Sequence, residues 1–219
     1  MNGISGLVWP KGPVIGSMFI GGFMVDEARM DELDELGVKD SKKLSDSKRE
    51  RLREQLDGLG RTFLKEIEAS EIDELSQVMN LNEIEVKGFV DVIRRSDADE
   101  VFVDLPEPDG DRFIRKLKDQ LPVKFKDMKF VAEHGADEEY DIVSAASIVA
   151  KSAREEHVEK LQKKYGYDFK SGYPHDKPTR EFLKKYLKEK GELPPEARLS
   201  WSTSQDLIDE SEQSGLGEF

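Results

Sequence analysis

The feature that most limits the possible folds is a long apolar run near the amino terminus, VIGSMFIGGFMV at 14–25. Four glycine or serine residues interrupt it. Its length and its β-branched content favour a buried strand over a helix. A second strand, ISGLVW at 4–9, is predicted before it, and Pro10–Pro13 connect the two. The chain is therefore expected to fold around a sheet.

Downstream, patterns typical of strands alternate with patterns typical of helices. Further strands are predicted at 61–69, 100–106 and 128–134, and helices at 46–60, 81–96, 111–121, 142–166 and 177–190. This order predicts an α/β fold with a mixed sheet flanked by helices and a helical C-terminal subdomain.

The same patterns predict how the chain is divided. We assign an α/β core to 1–140 and a helical C-terminal part of the same domain to 141–202. Residues 203–219 are acidic and polar, which predicts a flexible tail.

Charge and cysteine content narrow the class of protein. The net charge of −13 argues against nucleic-acid binding over the whole surface, but basic residues cluster locally at 39–53, 160–170 and 177–190. The absence of cysteine excludes disulfides and thiolate metal sites. No apolar run approaches the ~18 residues of a membrane span, and no signal peptide is evident. A cytoplasmic protein is therefore predicted.

Seven stretches between residues 11 and 201 carry a resemblance to a known family. In chain order they are GPVIGSM, VKDSKKLS, LNEIE, VFVDLP, AEHGADEEYDIVSAASIVAKSARE, SGYPHDKPTREFL and GELPPEARLSW. The combination of DSKKL, SAASIVAK and SGYP is very specific. On these residues the chain resembles archaeal-type ribonuclease HII, of the type 2 ribonuclease H family.

The resemblance implies a ribonuclease H-like fold and an endonuclease of DNA replication and ribonucleotide repair. Such an enzyme cleaves the RNA strand of RNA/DNA hybrids, and single ribonucleotides embedded in DNA. The resemblance also implies a divalent metal cofactor, magnesium or manganese, held by four carboxylates. Hydrolysis by two metals needs ions ~3.5–4 Å apart, and magnesium prefers oxygen ligands. A monomer is expected.

Two of the four implied ligands are present. Asp104 closes the apolar run VFV and matches the family's mid-chain ligand, and Asp137 matches its last ligand. Because strand ends bring distant residues together, we expect Asp104 and Asp137 to converge beside the end of the first strand.

The other two ligands are missing. Aligned on Gly12–Gly16, the acidic pair of the family's opening motif falls on Leu7 and Val8, and residues 1–25 contain no Asp or Glu. Leucine and valine side chains cannot bind a metal, so the chain is expected to cleave poorly or not at all.

Residues that match the family's substrate contacts are partly retained. Lys11 and Gly12 remain from a loop whose backbone reads the ribose 2′-hydroxyl, the group that distinguishes RNA from DNA, whereas Pro10 removes one N–H donor. Tyr173 matches a tyrosine that stacks beside the RNA–DNA junction. Residues matching the path of the substrate backbone are Lys42, Lys43, Ser144, Ser147 and Lys151.

The C-terminal residues QSGLGEF resemble a sliding-clamp (PCNA) binding box. Gln213, Leu216 and Phe219 have its spacing, in which a short helical turn presents an aliphatic and an aromatic side chain to an apolar pocket. Glycines at 215 and 217 raise the entropy lost on ordering.

Three hypotheses fit these residues. The chain is an active nuclease with a rebuilt metal site, or a non-catalytic protein that binds hybrids or junctions. In the third hypothesis, residues 1–10 of an otherwise active nuclease have been altered.

Overall fold

The computed structural model describes residues 2–8, 12–39, 46–125 and 127–216. In the helix that begins at residue 46, side chains are described from residue 49 onward, and in the helix that ends at residue 216 they are described up to residue 213. The strands are β1 (Gly3–Val8), β2 (Met18–Asp26), β3 (Arg61–Ile67), β4 (Glu100–Asp104) and β5 (Lys129–Glu133). The α-helices are α1 (Met30–Glu35), α2 (Asp46–Leu59), α3 (Ala69–Leu75), α4 (Leu81–Ser96), α5 (Gly110–Gln120), α6 (Ala136–Glu139), α7 (Asp141–Tyr165), α8 (Lys177–Lys190) and α9 (Ser202–Leu216).

The five strands form one mixed sheet in the order β3-β2-β1-β4-β5. Strand β1 runs antiparallel to β2 and parallel to β4, and β4 runs parallel to β5. The expected mixed sheet flanked by helices is confirmed.

Local chemistry explains where several helices begin and end. The Asp109 side chain accepts a hydrogen bond from the backbone N–H of Arg112 at 2.9 Å, which caps the amino end of α5. Helix α8 begins with proline in its first turn and ends at Gly191, whose φ of 79° suits glycine.

The chain divides into two compact units. The first comprises 1–10, 19–66 and 82–153, and the second comprises 11–18, 67–81 and 154–219. The boundary that we predicted after residue 140 differs from this division. The first half of α7 belongs with the sheet, because Ala145, Ala146 and Ala150 are buried in one cluster with residues of β1 and β2.

In the core of the first unit, the backbones of α7 and the sheet approach each other very closely. A Cβ on Gly6 would meet the carbonyl of Ile142, and a Cβ on Gly21 would lie 2.6 Å from the carbonyl oxygen of Ala146. Larger side chains at these positions would force helix and sheet apart.

The second unit has its own apolar core, and α9 takes part in it. Leu207 is buried with Leu183 and Phe182 of α8, and Lys184 forms an ion pair with Glu210 at 2.9 Å. The structure therefore has a helix over most of the stretch that we predicted to be a flexible tail, because burial of one apolar face offsets its acidic composition.

The predicted strand at 14–25 is shorter in the structure. Residues 14–17 lie outside β2, and Gly16 has a φ of 104°, which no extended strand adopts. The predicted strand at 61–69 ends at Ile67, where α3 follows.

Candidate active site

Three parallel strands end at the same edge of the sheet, which we call the carboxyl edge. Leu7 pairs with Val103, and Asp104 pairs with Glu133. The end of β1, Asp104 and Glu133 therefore lie side by side at this edge.

Asp104 is bound to the turn that leads to Asp137. Its Oδ1 accepts a hydrogen bond from the backbone N–H of Gly135 at 2.9 Å. Gly135 has a φ of 70°, which glycine adopts at no steric cost, and Asp137 follows in the first turn of α6. Asp104 is thus hydrogen-bonded to the turn that precedes Asp137.

Leu7 and Val8 occupy buried apolar positions at this edge, with 0% and 4% of their surface exposed. Val8 packs with residues of α7, as does Phe102. Because side chains alternate along a strand, Asp104 points to the same face as Phe102 and Val8. Leu7 faces the other side, where its Cδ2 and the Cγ1 of Val92 both adjoin Gly22.

The donor set at this edge does not fit a divalent metal. The side chains of Leu7 and Val8 have no oxygen, and no cluster of three or more His, Asp or Glu side chains suited to a metal occurs within the described residues. Octahedral cations require several oxygen ligands from one site, and of the four ligands implied by the resemblance only Asp104 and Asp137 supply a carboxylate.

Glu133 is a residue of this edge that we did not predict. It ends β5 as Asp104 ends β4, and Tyr140 donates a hydrogen bond to its Oε2 at 3.1 Å. This hydrogen bond to Glu133 raises the pKa of the Tyr140 hydroxyl. The sequence signal was available, since both acids directly follow short apolar strands.

The residues of α7 that are predicted to contact the nucleic-acid backbone differ in their exposure to solvent. Ser144 is buried and donates its hydroxyl to the backbone carbonyl of Asp137. Ser147 is buried too, and its hydroxyl has no hydrogen-bond partner among the residues that are described. Lys151 is half-buried. Lys11, Lys42 and Lys43 lie outside the described residues.

Asp141, at the start of α7, is another acidic residue of the first unit. It forms an ion pair with Lys39 at 3.5 Å. Burial is the largest influence on this carboxyl and raises its pKa, although Lys39 opposes the shift.

In the second unit, the backbone from 12 to 16 lies between two other segments. On one side, the N–H groups of Val14 and Ile15 donate to the carbonyl of Gly172 at 2.8 and 3.3 Å. On the other, the N–H of Gly16 donates to Glu196 at 2.8 Å. The segment that contains Gly12 is thus hydrogen-bonded to the segment that contains Tyr173, and both residues are predicted to contact substrate.

The Tyr173 ring is held from two directions. The Cζ of Arg154 lies 5.3 Å from its centroid, and the His175 ring stacks on it at 5.5 Å. The turn itself is fixed by Asp176, which accepts hydrogen bonds from the backbone and hydroxyl of Ser171. These bonds lower the pKa of Asp176.

A cavity of about 490 Å³ lies away from the carboxyl edge. It is lined by the opposite ends of the strands, including Gly3, Glu100 and Lys129. This hollow therefore does not coincide with the acids of the site.

The comparisons with known proteins settle the family. The sequence model of the ribonuclease HII family matches residues 10–204. The chain belongs to the ribonuclease HII family. The match begins after Leu7 and Val8, the two positions where the chain departs from the opening motif.

Relatives and solved structures extend along nearly the whole chain. Ribonuclease HII of Methanosarcina barkeri is 42% identical over 94% of this chain and 94% of its own length. Ribonuclease H2 of Pyrococcus horikoshii has a TM-score of 0.89 at 36% identity, covering 96% of this chain and 99% of the other. Ribonuclease HII from the complex with PCNA of Archaeoglobus fulgidus has a TM-score of 0.84 at 37% identity, with 93% and 96% covered.

Family membership gives the chain its enzyme class. Ribonucleases HII are type 2 ribonucleases H, endonucleases that hydrolyse RNA in RNA/DNA hybrids, and the ribonuclease H family depends on divalent metals. Among the described helices, none is both long and apolar enough to cross a membrane.

Proposed function

We propose that this chain recognises RNA/DNA hybrids and single ribonucleotides embedded in DNA, and that in its present sequence it cleaves them poorly. The observation that carries the proposal is that apolar, buried Leu7 and Val8 end β1 at the carboxyl edge, with Val8 on the same face as Asp104. Two-metal hydrolysis requires carboxylates that bridge and hold ions ~4 Å apart. Two apolar side chains at that edge remove half of the four expected ligands.

Substrate recognition is proposed to rest on residues that the chain retains. The segments that contain Gly12 and Tyr173 are hydrogen-bonded to each other, which supports a joint role in reading the ribose and the adjoining base. Ser144, Ser147 and Lys151 on α7, with Lys11, Lys42 and Lys43, are proposed to follow the nucleic-acid backbone.

Restoring the acids tests the catalytic part of the proposal. Leu7→Asp combined with Val8→Glu should recover cleavage 5′ of a single embedded ribonucleotide, leaving a 3′-hydroxyl, when magnesium or manganese is added. The measurement is the fraction of labelled duplex cleaved with time. Since Val8 shares the face of Asp104, Val8→Glu alone should recover more activity than Leu7→Asp alone.

Matched controls separate charge from shape. Leu7→Asn with Val8→Gln has nearly the same shape without the carboxylates and should stay inactive. Adding Asp104→Asn to the restored chain should abolish the recovered cleavage. Full activity in the unrestored chain would instead mean that other residues bind the metals.

Thermal unfolding should accompany each assay, because Leu7 is fully buried. A carboxylate there without a bound cation is costly to bury. A silent restored chain that still unfolds cooperatively would point to Pro10 as the obstacle.

A second candidate function is binding without cleavage, with attachment to the sliding clamp. The solved Archaeoglobus fulgidus relative was determined in complex with PCNA, and Gln213 is exposed near the end of α9. We propose that Gln213, Leu216 and Phe219 form the attachment and that the protein works as a cytoplasmic monomer at replicating DNA. Tight hybrid binding by a chain that the restored acids fail to activate would favour this function.

A further inference from the structure

Arg198 is a fully buried arginine, with 0% of its surface exposed. Its Nε donates a hydrogen bond to the carbonyl of Gly16 at 3.2 Å, and its guanidinium carbon lies 5.1 Å from the centre of the Trp201 ring. Neither Nη1 nor Nη2 has a hydrogen-bond partner in the part of the chain that is described. Burial of an arginine whose terminal nitrogens lack partners among the described residues is costly, so its place in this core needs a physical reason.

The guanidinium occupies the space beside Gly12. A Cβ on Gly12 would overlap Nη1 of Arg198 and would lie only 2.8 Å from its Cζ. An exposed arginine would swing away from such a contact, but burial and the Trp201 ring confine this one. Gly12 is therefore required to be glycine because of Arg198.

Arg198 also holds the rest of the segment that follows Gly12. Its backbone N–H donates to the carbonyl of Val14 at 2.9 Å, while its side chain binds Gly16. Residues Ile15 and Ala197 form an antiparallel bridge between these bonds. One residue thus fixes the segment through both its backbone and its side chain.

Burial and two titratable groups influence the guanidinium charge. Burial lowers the pKa of Arg198 to about 10, while Tyr173 and Asp73 act in the opposite direction. Asp73 is bound in turn by the backbone N–H groups of Leu199 and Ser200, at 2.8 and 2.9 Å. Arg198 therefore stays charged at neutral pH, and the segment that it fixes is hydrogen-bonded to Gly172, next to Tyr173, through the N–H groups of Val14 and Ile15.

We propose that Arg198 is a positioning residue for ribonucleotide recognition, which fixes the Gly12 backbone relative to Tyr173. The proposal rests on the proposed function, since it assigns Arg198 a role through Gly12. It predicts that changes at Arg198 weaken the preference for a ribonucleotide rather than overall affinity for nucleic acid.

The test compares two duplexes that differ in one sugar. Binding is measured without added metal for a DNA duplex carrying one ribonucleotide and for the same duplex made wholly of DNA. The ratio of the two Kd values reports recognition of the ribose. Arg198→Met should lower this preference about tenfold, which corresponds to ~1.4 kcal/mol, and Arg198→Lys should lower it less.

Arg180→Met is the matched control, because Arg180 is an exposed arginine on α8. It removes the same charge, so it should weaken binding to both duplexes equally and leave the preference unchanged. An equal loss for both duplexes in Arg198→Met would overturn the proposal, since Arg198 would then contribute only charge.

A second pair of variants tests the contact itself. Gly12→Ala should lower the preference in the original chain, because its methyl group collides with Nη1. The same change should have no further effect in Arg198→Met, where the space is open. Independent, additive effects of the two changes would contradict the contact.

Folding and the proposed function are checked separately. If Arg198→Met does not unfold cooperatively, Arg198→Lys and Gly12→Ala decide the outcome. If the original chain does not prefer the ribonucleotide duplex, the proposed function and this inference both fail. If the original chain prefers it and these variants prefer it equally, only this inference fails.

Discussion

At the scale of single residues, Glu85 of α4 carries the clearest electrostatic cost in the first unit. Only 1% of its surface is exposed, and its Oε2 has no hydrogen-bond partner among the described residues. Burial, and then the nearby Glu107, raise the pKa of the Glu85 carboxyl to about 8. Lys116 opposes the shift but is itself bound to both carboxylate oxygens of Glu107, at 3.0 and 2.8 Å.

This raised pKa predicts that stability falls as pH rises. Between about pH 4.5 and 8 the unfolded chain has lost the Glu85 proton while the folded chain retains it, so rising pH favours unfolding. Glu85→Gln should therefore raise the free energy of unfolding at pH 8 on the order of 4 kcal/mol, and hardly at all near pH 4.5. Thermal unfolding at both pH values measures the difference.

Glu83→Gln is the control, since Glu83 lies on the same helix but is exposed. It should give no gain that depends on pH. A gain of equal size at both pH values in Glu85→Gln would show that packing, rather than titration, is responsible.

At the scale of elements, the contact of α7 with the sheet depends on missing side chains. A Cβ on Gly21 of β2 would lie 2.6 Å from the Ala146 carbonyl oxygen and 2.8 Å from the Ala150 Cβ. Gly21→Ala should therefore destabilise the protein by about 1–3 kcal/mol, the usual cost of overpacking. Urea unfolding measures the change.

Gly58 offers the opposite case within a helix. It lies in α2, and a Cβ there would meet nothing within 4 Å. Gly58→Ala should stabilise the protein by roughly 0.5–1 kcal/mol, because alanine loses less backbone entropy on folding. Stabilisation by Gly21→Ala, as expected for Gly58→Ala, would contradict the close approach of α7 to β2.

At the scale of the whole molecule, the C-terminal box predicts attachment to a partner. Binding to the cognate sliding clamp is expected near micromolar Kd, or ~8 kcal/mol, because glycines in the box raise the cost of ordering it. Calorimetry should show a signal that disappears when 213–219 are deleted. Ser211→Ala, just before the box, should bind as the original chain does, and equal binding after the deletion would exclude the tail as the attachment.

The sequence by itself determined most of the elements and the family. The helix predicted at 81–96 coincides with α4, and the helix predicted at 177–190 coincides with α8. These features are local, since the period of apolar residues and the caps at helix ends lie within one segment. The loss of acids at Leu7 and Val8 was also readable from sequence alone.

The tertiary structure decided what distant segments do together. Strand order placed Glu133 beside Asp104, and α8 gave α9 the apolar surface that an acidic tail lacks by itself. Arg198 could not be predicted, because nothing near it in the sequence reveals that its guanidinium fills the space beside Gly12. Such contacts depend on how backbones far apart in the chain approach each other, and local periodicity contains no information about that approach.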